Sequence, residues 1–85
     1  MANDTDHPRL APCPCCSYRT LERRGDYDIC PVCFWEDDGS DDPQRYSSPN
    51  HMTLEEGRAN FARYGACSPE HVKHVDPDGP RKYSR

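Results

Sequence analysis

The chain has few of the side chains that usually fill a protein interior. Leucine, isoleucine, valine and phenylalanine together number nine among its 85 residues. This is about 11% of the chain, well below the roughly 20% of chains that fold around an apolar core. Burying one such side chain contributes about 1.5–3 kcal/mol, so nine cannot offset the entropy lost on ordering the chain. Either the chain is disordered or another kind of bond holds it together.

Long apolar runs are also absent. No stretch approaches the roughly 20 residues of a membrane span, so we expect no membrane contact. The first twelve residues include Asp4, Asp6 and His7 and hold no hydrophobic segment, so no signal peptide is predicted. We therefore expect a cytoplasmic protein, whose thiols bind metal rather than form disulfides. The alternative is a secreted scaffold in which the six cysteines form disulfides.

Basic residues are outnumbered, and the formal net charge is −4, from 11 Lys and Arg against 15 Asp and Glu. This acidic balance disfavours nonspecific binding to nucleic acid, which requires basic side chains that displace counterions. The acidic run at residues 36–42 lacks the glycine position and the register of an EF-hand calcium loop. We therefore interpret it as a solvated loop that docks a basic partner. Five of the carboxylates are close together, at Glu36, Asp37, Asp38, Asp41 and Asp42.

Six cysteines are present, and four of them form a metal-binding pattern. Cys13-Pro14-Cys15-Cys16 and Cys30-Pro31-Val32-Cys33 are both C-P-x-C, and their outer cysteines give the spacing C-x2-C-x13-C-x2-C. A two-residue gap lets both thiolates of one tight turn reach the same ion at about 2.3 Å. The pattern therefore predicts a structural site for Zn²⁺ or, less often, iron, with the ligands Cys13, Cys16, Cys30 and Cys33.

The residues between the cysteine pairs are the right length for a short β-hairpin. Residues 18–21 and 27–29 are strand-like, and Gly25 is the turn residue between them. These features predict a zinc-ribbon-like hairpin. Zinc ribbons often have glycine after the second cysteine of each turn, whereas Ser17 and Phe34 occupy those positions here.

Cys15 and Cys67 are left over from this pattern. We interpret Cys15 as a small apolar filler, and the alternative is a reactive thiol or a ligand that replaces Cys13 or Cys16. Cys67 begins the spacing Cys67-x3-His71-x2-His74, which would suit a second ion, although a buried free cysteine is the commoner case. A thioredoxin-type enzyme is disfavoured because neither C-P-x-C segment opens a helix.

A helix is predicted at residues 53–64. Thr53 and Glu56 form a capping box, and Gly65 has the position of a left-handed C-terminal residue. Gly57 weakens this prediction. We expect Phe34 and Trp35 to cover the thiolates and the helix to lie across the hairpin, with Phe61 near Trp35.

Three ordered blocks of the sequence resemble the cysteine-rich CPCC family of small bacterial proteins. They are Cys13-Pro14-Cys15-Cys16, the run from Asp28 to Asp38, and the segment from Asn60 to Cys67. The resemblance covers roughly residues 10–75 and implies bacterial origin and zinc binding, with no established activity and with some members encoded near toxin systems. It implies a place in the family pattern, without a known role, for Asn50, Leu54, Asn60 and Cys67.

Together these features predict one small α+β domain at residues 9–75, between flexible tails at residues 1–8 and 76–85. A long loop joins the hairpin, which the metal ion stabilises, to the single helix. We expect no enzyme, but a protein-interaction module, immunity or antitoxin-like in one version, that contacts an unidentified partner through the five carboxylates named above. The first alternative is a nucleic-acid-binding zinc ribbon using Arg19, Arg23, Arg24, Arg81 and Lys82. The second is a thiol or metal sensor using Cys15 and Cys67.

Overall fold

The structure, a computed structural model, describes residues 10–85, so the tail predicted at residues 1–8 lies outside the described range. The described chain is a small α+β fold with two short antiparallel sheets and one main helix, as the sequence predicts. Its elements are, in order, β1 (Ala11–Pro12), β2 (Arg19–Leu21), β3 (Tyr46–Ser47), β4 (Met52–Thr53), α1 (Leu54–Tyr64), a 3₁₀ helix (Pro69–His74) and α2 (Gly79–Lys82).

The hairpin around the first cysteine turn differs from the one expected. Strand β2 pairs with β1, which precedes the turn, and the register joins Ala11 to Leu21 and Pro12 to Arg19. The expected partner of β2, residues 27–29, forms a separate ladder, in which Ile29 and Glu36 make an isolated antiparallel bridge. Each cysteine turn is therefore enclosed by its own short ladder instead of lying at the end of one shared hairpin.

A bulge at Tyr27 explains why the second ladder forms. Tyr27 has a left-handed backbone with φ of 60°. Its N–H donates to the carbonyl of Asp37 at 2.9 Å, and the Asp37 N–H donates to the carbonyl of Asp28 at 3.0 Å. Tyr27 and Asp28 together therefore lie opposite the single residue Asp37. This arrangement is a G1-type bulge, which bends the strand. Residues 28–30 consequently pair with the chain that follows the second cysteine turn.

The β3–β4 hairpin leads directly into helix α1. Its strands pair Tyr46 with Thr53, so part of the segment that the sequence predicts to be loop forms a strand. Thr53 accepts a hydrogen bond from the N–H of Glu56 at 3.1 Å, and the Glu56 carboxylate accepts from the N–H of Thr53 at 2.8 Å. Gly65 ends the helix with φ of 81°. The predicted capping box and C-terminal glycine are therefore both confirmed.

Cysteines make up more than half of the residues in the buried core cluster. Among residues 10–85, the buried core cluster contains ten residues, and all six cysteines belong to it. The other members are Leu21, Val32, Trp35 and Leu54. The shortage of apolar side chains noted in the sequence is thus a real property of the fold, because four large apolar residues accompany six small thiol side chains.

The C-terminal segment, expected to be a flexible tail at residues 76–85, is packed against the rest of the described chain. The N–H of Asp76 donates to the carbonyl of Pro31 at 2.9 Å, and the N–H of Arg19 donates to the carbonyl of Ser84 at 2.7 Å. Between these contacts, Gly79 of α2 lies so close to Val32 that a Cβ would meet its Cγ2 at 2.9 Å. The segment therefore covers the second cysteine turn and extends the edge of β2.

Candidate metal centre

The two C-P-x-C turns have the same backbone conformation. In the first, the N–H of Ser17 donates to the carbonyl of Cys13 at 2.8 Å, and in the second, the N–H of Phe34 donates to the carbonyl of Cys30 at 2.7 Å. Ser17 has φ of 73° and Phe34 has φ of 72°, so both take the left-handed conformation that glycine usually provides. The matched turns form despite the missing glycines, and each places two thiols on its inner side.

The four outer cysteines bring their sulfur atoms together. The Sγ atoms of Cys13, Cys16, Cys30 and Cys33 all lie within 4.8 Å of one another. The Sγ atoms of Cys13 and Cys33 are 3.7 Å apart, and so are those of Cys16 and Cys30. Tetrahedral coordination with metal–sulfur bonds of about 2.3 Å places sulfur atoms about 3.8 Å apart. The observed separations therefore fit a metal ion held by all four cysteines.

Burial makes this site a closed one. None of the four cysteine residues exposes more than 2% of its surface. A cluster of thiols with no access to solvent has no position at which a water molecule or a substrate would complete the coordination of a bound ion. The four cysteines could therefore hold a metal ion in a site of the structural type.

Neighbouring thiols and burial shift the pKa values of the cluster in different directions. Hydrogen bonding with Cys16 and Cys30, together with burial, raises the pKa of Cys13. Contact with Cys13 and burial likewise raise the pKa of Cys33, whereas hydrogen bonds from Cys13, Cys16 and Cys33 lower the pKa of Cys30. A bound cation would favour the thiolate at all four positions, so metal binding releases protons and weakens as the pH falls.

Cys30 also receives two hydrogen bonds from outside the thiol cluster. The hydroxyl of Thr20 donates to its Sγ at 3.1 Å, and the N–H of Val32 lies 3.4 Å from the same atom. Such donors stabilise a thiolate and orient it toward a metal. The sequence alone does not indicate this role for Thr20, because the contact depends on β2 passing beside the second cysteine turn.

The two remaining cysteines are buried but lie outside the four-thiol group. Cys15 faces helix α1, where its Sγ would lie 3.3 Å from a Cβ on Gly57. The N–H of Cys67 donates to the carbonyl of Cys33 at 2.7 Å. Burial, followed by the nearby Cys15, raises the pKa of Cys67 to about 12. Cys67 is thus a protonated thiol near neutral pH, and its backbone braces the second turn.

The histidines of the suggested second site pack against an aromatic ring. The ring centroid of Phe34 lies 4.7 Å from that of His71 and 5.0 Å from that of His74. Within residues 10–85, the four-cysteine group is the only set of three or more potential ligands close enough to share an ion. The structure does not bring Cys67 together with the two histidines as a metal site.

Trp35 is buried in the same core as the four thiols, and the helix approaches it through a residue other than the expected Phe61. The indole is 1% exposed, and the close approach from helix α1 is made by Gly57. Phe61, which was expected near Trp35, packs edge-on against Tyr18 with ring centroids 6.4 Å apart. The close helix packing requires a residue without a side chain, which explains the glycine that weakened the helix prediction.

One of the five predicted partner-contact residues is internal. Asp37 is fully buried, and its carboxylate accepts hydrogen bonds from the Arg24 side chain and the Gly25 N–H, both at 2.8 Å. The Gly39 N–H adds a third at 3.0 Å. Burial by itself raises the pKa of Asp37, but these hydrogen bonds, chiefly from Arg24, lower it overall. Asp37 therefore fixes the loop and is not available to a partner.

The other four carboxylates remain accessible to different degrees. Asp41 and Asp42 are exposed, and Glu36 and Asp38 are half-buried. Asp41 also pairs with Arg24 at 3.0 Å. These side chains form a negatively charged surface beside the second cysteine turn.

The basic residues suggested for nucleic-acid binding mostly have partners within the chain. Arg24 is held by Asp37 and Asp41, and the Arg19 side chain donates to the carbonyl of Leu10 at 3.3 Å. At the C-terminus, Arg81 pairs with Asp78 and Lys82 pairs with Asp76. The ion pairs of Arg24, Arg81 and Lys82 neutralise part of the positive charge that such binding requires.

Two asparagines that the family resemblance highlighted bind backbone groups near the cysteine turns. The Asn50 side chain accepts from the N–H of Glu36 and donates to its carbonyl, both at 2.8 Å. The Asn60 side chain donates to the carbonyl of Cys67 at 2.9 Å. The first contact fixes the second ladder, and the second ties helix α1 to the segment that braces Cys33.

These features define a class of small cysteine-rich proteins in which matched C-P-x-C turns close around one buried four-thiol site. The chain belongs to the Cysteine-rich CPCC family, whose model matches residues 11–82. The family resemblance stated from the sequence is therefore confirmed, and the match reaches beyond residue 75 to include α2. No curated protein and no solved structure matches the chain. Within residues 10–85, no helix has the length and apolar character needed to cross a membrane.

Proposed function

We propose that this protein binds one Zn²⁺ through Cys13, Cys16, Cys30 and Cys33, and that the ion is structural. The observation that carries this proposal is the mutual approach of the four buried sulfur atoms within 4.8 Å. A set of four thiolates suits zinc and also accepts iron. Zinc is favoured because closed tetrahedral sites of four cysteines are a common structural zinc arrangement in small modules.

The energetic reason for a structural metal is the composition of the core. Six of its ten residues are cysteines, whose thiols bury little apolar surface. Structural zinc contributes about 10–16 kcal/mol of apparent binding free energy in small modules, and this energy stabilises the fold that forms the site. The ion would therefore supply the stability that apolar burial does not.

Elemental analysis of the purified protein and of six single Cys-to-Ser variants tests this proposal. We expect one zinc per chain in the wild type, and loss of that zinc after substitution of any of the four ligands. Cys15→Ser and Cys67→Ser are the matched controls and should retain the ion. Stoichiometric iron, or loss of the metal from the Cys15→Ser variant, would contradict the assignment.

We further propose that the folded chain acts without catalysis, as a module that binds a basic protein partner. The accessible carboxylates Glu36, Asp38, Asp41 and Asp42 support this role, because clustered negative charge beside a rigid metal site steers a cationic partner. An immunity or antitoxin-like protein is one form that such a module takes.

The binding role can be tested by capture of partners on immobilised protein. The test variant carries Glu36→Gln, Asp38→Asn, Asp41→Asn and Asp42→Asn and leaves the buried Asp37 unchanged. We expect a partner retained by the wild type to be lost from this variant, whose zinc content is measured on the same sample. Undiminished capture would count against the acidic surface.

A further inference from the structure

The ladder around the second cysteine turn has an open edge at Ile29. Ile29 forms a bridge with Glu36, and two hydrogen bonds bracket this pair. They join the Cys30 N–H to the Trp35 carbonyl at 2.9 Å and the Asp37 N–H to the Asp28 carbonyl at 3.0 Å. In this antiparallel geometry, the N–H and C=O of Ile29 point away from the ladder. Neither group has a hydrogen-bond partner among residues 10–85.

Neighbouring edges are closed by the chain itself. On the opposite side of the same ladder, the Asn50 side chain binds both the N–H and the C=O of Glu36 at 2.8 Å, as a neighbouring strand would. The edge of β2 is covered where the N–H of Arg19 donates to the carbonyl of Ser84 at 2.7 Å. Exposed edges invite pairing with another chain, and proteins usually block them. Within the described range, residues 10–85, no part of the chain blocks the edge at Ile29.

Exposed apolar side chains accompany the open backbone groups. Ile29 is 48% exposed, and Tyr27, two residues earlier, is 56% exposed. Main-chain hydrogen bonds provide affinity when an extended peptide adds to a sheet edge, and apolar contacts with alternate side chains add specificity. Residues 27–29 provide both the free main-chain groups and the exposed apolar side chains that such pairing needs.

The charge around the edge indicates the kind of peptide that would bind. Residues 26–42 contain seven carboxylates and no lysine or arginine. Arg24 neutralises two of these carboxylates, those of Asp37 and Asp41. Asp26 and Asp28 flank Tyr27, and Glu36 lies opposite Ile29. A second copy of this chain would bring two such acidic surfaces together, which is electrostatically unfavourable.

We propose that this edge docks an extended basic segment of a partner protein by β-strand addition. The segment alternates apolar side chains, which pack on Tyr27 and Ile29, with lysines or arginines, which face the surrounding carboxylates. Its backbone exchanges hydrogen bonds with the N–H and C=O of Ile29. This inference rests on the proposed function and names the surface through which the module binds.

The experiment uses the zinc-loaded, isotope-labelled protein and a short end-capped peptide of alternating lysine and valine. We expect the peptide to shift the amide resonance of Ile29 and to slow its exchange with solvent, because this N–H becomes hydrogen-bonded. A peptide of alternating glutamate and valine is the charge control and should bind at least about tenfold more weakly. Absence of any change at Ile29 at millimolar lysine peptide, or equal binding of both peptides, would overturn the proposal.

Two variants test the edge directly. Ile29→Pro removes the outward N–H, which makes no hydrogen bond within the ladder. Proline is tolerated at such edge positions. It should weaken peptide binding at least about tenfold, or about 1.4 kcal/mol. Tyr27→Asn keeps a residue that tolerates the left-handed backbone while removing the ring, and it should also weaken binding. Its matched control is Tyr46→Asn, which removes an equally exposed tyrosine from the β3–β4 hairpin and should bind normally.

The outcomes separate this inference from the proposed function. Resonances of Ile29 that move with protein concentration in the absence of peptide would show pairing between copies and overturn the proposal. A further outcome is partner capture that depends on the accessible carboxylates and yet is unchanged in Ile29→Pro. That result would overturn docking at the Ile29 edge and leave the proposed binding role intact. The zinc content of every variant is measured separately and reports on the metal site alone.

Discussion

Gly57 of helix α1 lies against the indole ring of Trp35, and a Cβ on residue 57 would stand 2.7 Å from Cζ3 of that ring. Glycine inside a helix is less favourable than alanine by about 1 kcal/mol. Here the absence of a side chain lets the helix backbone approach a tryptophan that is buried in the same core as the four thiols. The contact thus links the main helix to the metal centre.

Gly57→Ala is expected to destabilise the metal-loaded protein. The added methyl group would collide with a rigid ring and would also lie 3.3 Å from the Sγ of Cys15. Overpacking of this kind costs about 1–3 kcal/mol, and the better helix propensity of alanine recovers about 1 kcal/mol of it. We therefore expect a net loss of up to about 2 kcal/mol, measured by urea unfolding.

A double-mutant cycle provides the control. In the background of Trp35→Leu, which removes the ring, Gly57→Ala should cost less than it does in the wild type. Equal costs in the two backgrounds would show that the effect does not come from contact with the indole.

The sequence predicted those parts of the fold that depend on neighbouring residues. The four-cysteine group follows from the two C-P-x-C turns, and the helix ends follow from Thr53 and Gly65, because each of these features is local. Helix propensity alone makes Gly57 unfavourable, because it takes no account of a tryptophan 22 residues earlier in the chain. Its value is apparent only once the helix is packed.

Contacts between distant residues account for what the sequence did not predict. The strand pairing is not predictable from the sequence because Tyr27, a residue type that rarely takes a left-handed conformation, forms a bulge with Asp37 that bends the second strand. Asp37 was grouped with the solvated acids because its partner, Arg24, lies 13 residues earlier. Asn50 has a place in the family pattern but no role that the sequence indicates, and Thr20 has no such place; only the folded chain brings them to Glu36 and Cys30.

Asp37→Asn is expected to lower the free energy of unfolding by about 2–3 kcal/mol, because hydrogen bonds to a charged group contribute about 1.5–3 kcal/mol each and their loss is partly compensated. The substitution removes the charge that Arg24 pairs with and places an NH₂ group among donors. Asp42→Asn, at an exposed carboxylate, is the control and should change stability by less than about 0.5 kcal/mol.

The pH dependence of that difference follows from the lowered pKa of Asp37. A depressed pKa in the folded state gives stability that is fully present above the ordinary value of 3.8 and is lost only as the pH falls through the lower folded value. The stability difference between wild type and Asp37→Asn should thus stay constant between about pH 5 and 8. A difference that shrinks on acidification within this window would indicate a raised pKa and contradict the assigned network.

Thr20→Val is expected to weaken metal binding by about tenfold or more, since outer hydrogen bonds to ligands affect affinity by about 10–100-fold. Valine keeps the shape of threonine but removes the hydroxyl that donates to Cys30 Sγ at 3.1 Å. Competition with a chromophoric chelator measures the affinity. Thr20→Ser keeps the hydroxyl donor and should bind the metal as tightly as the wild type. Equal weakening of metal binding in both variants would show that the effect comes from packing and not from the hydrogen bond.

Removal of the metal tests the central claim that an ion bound by Cys13, Cys16, Cys30 and Cys33 holds this fold together. The protein is stripped with a chelator under reducing conditions, its metal content is checked, and its amide resonances and thermal melting are recorded. We predict collapsed resonances and no cooperative transition, both restored by one equivalent of Zn²⁺. A metal-free chain that still melts cooperatively with dispersed resonances would contradict the account.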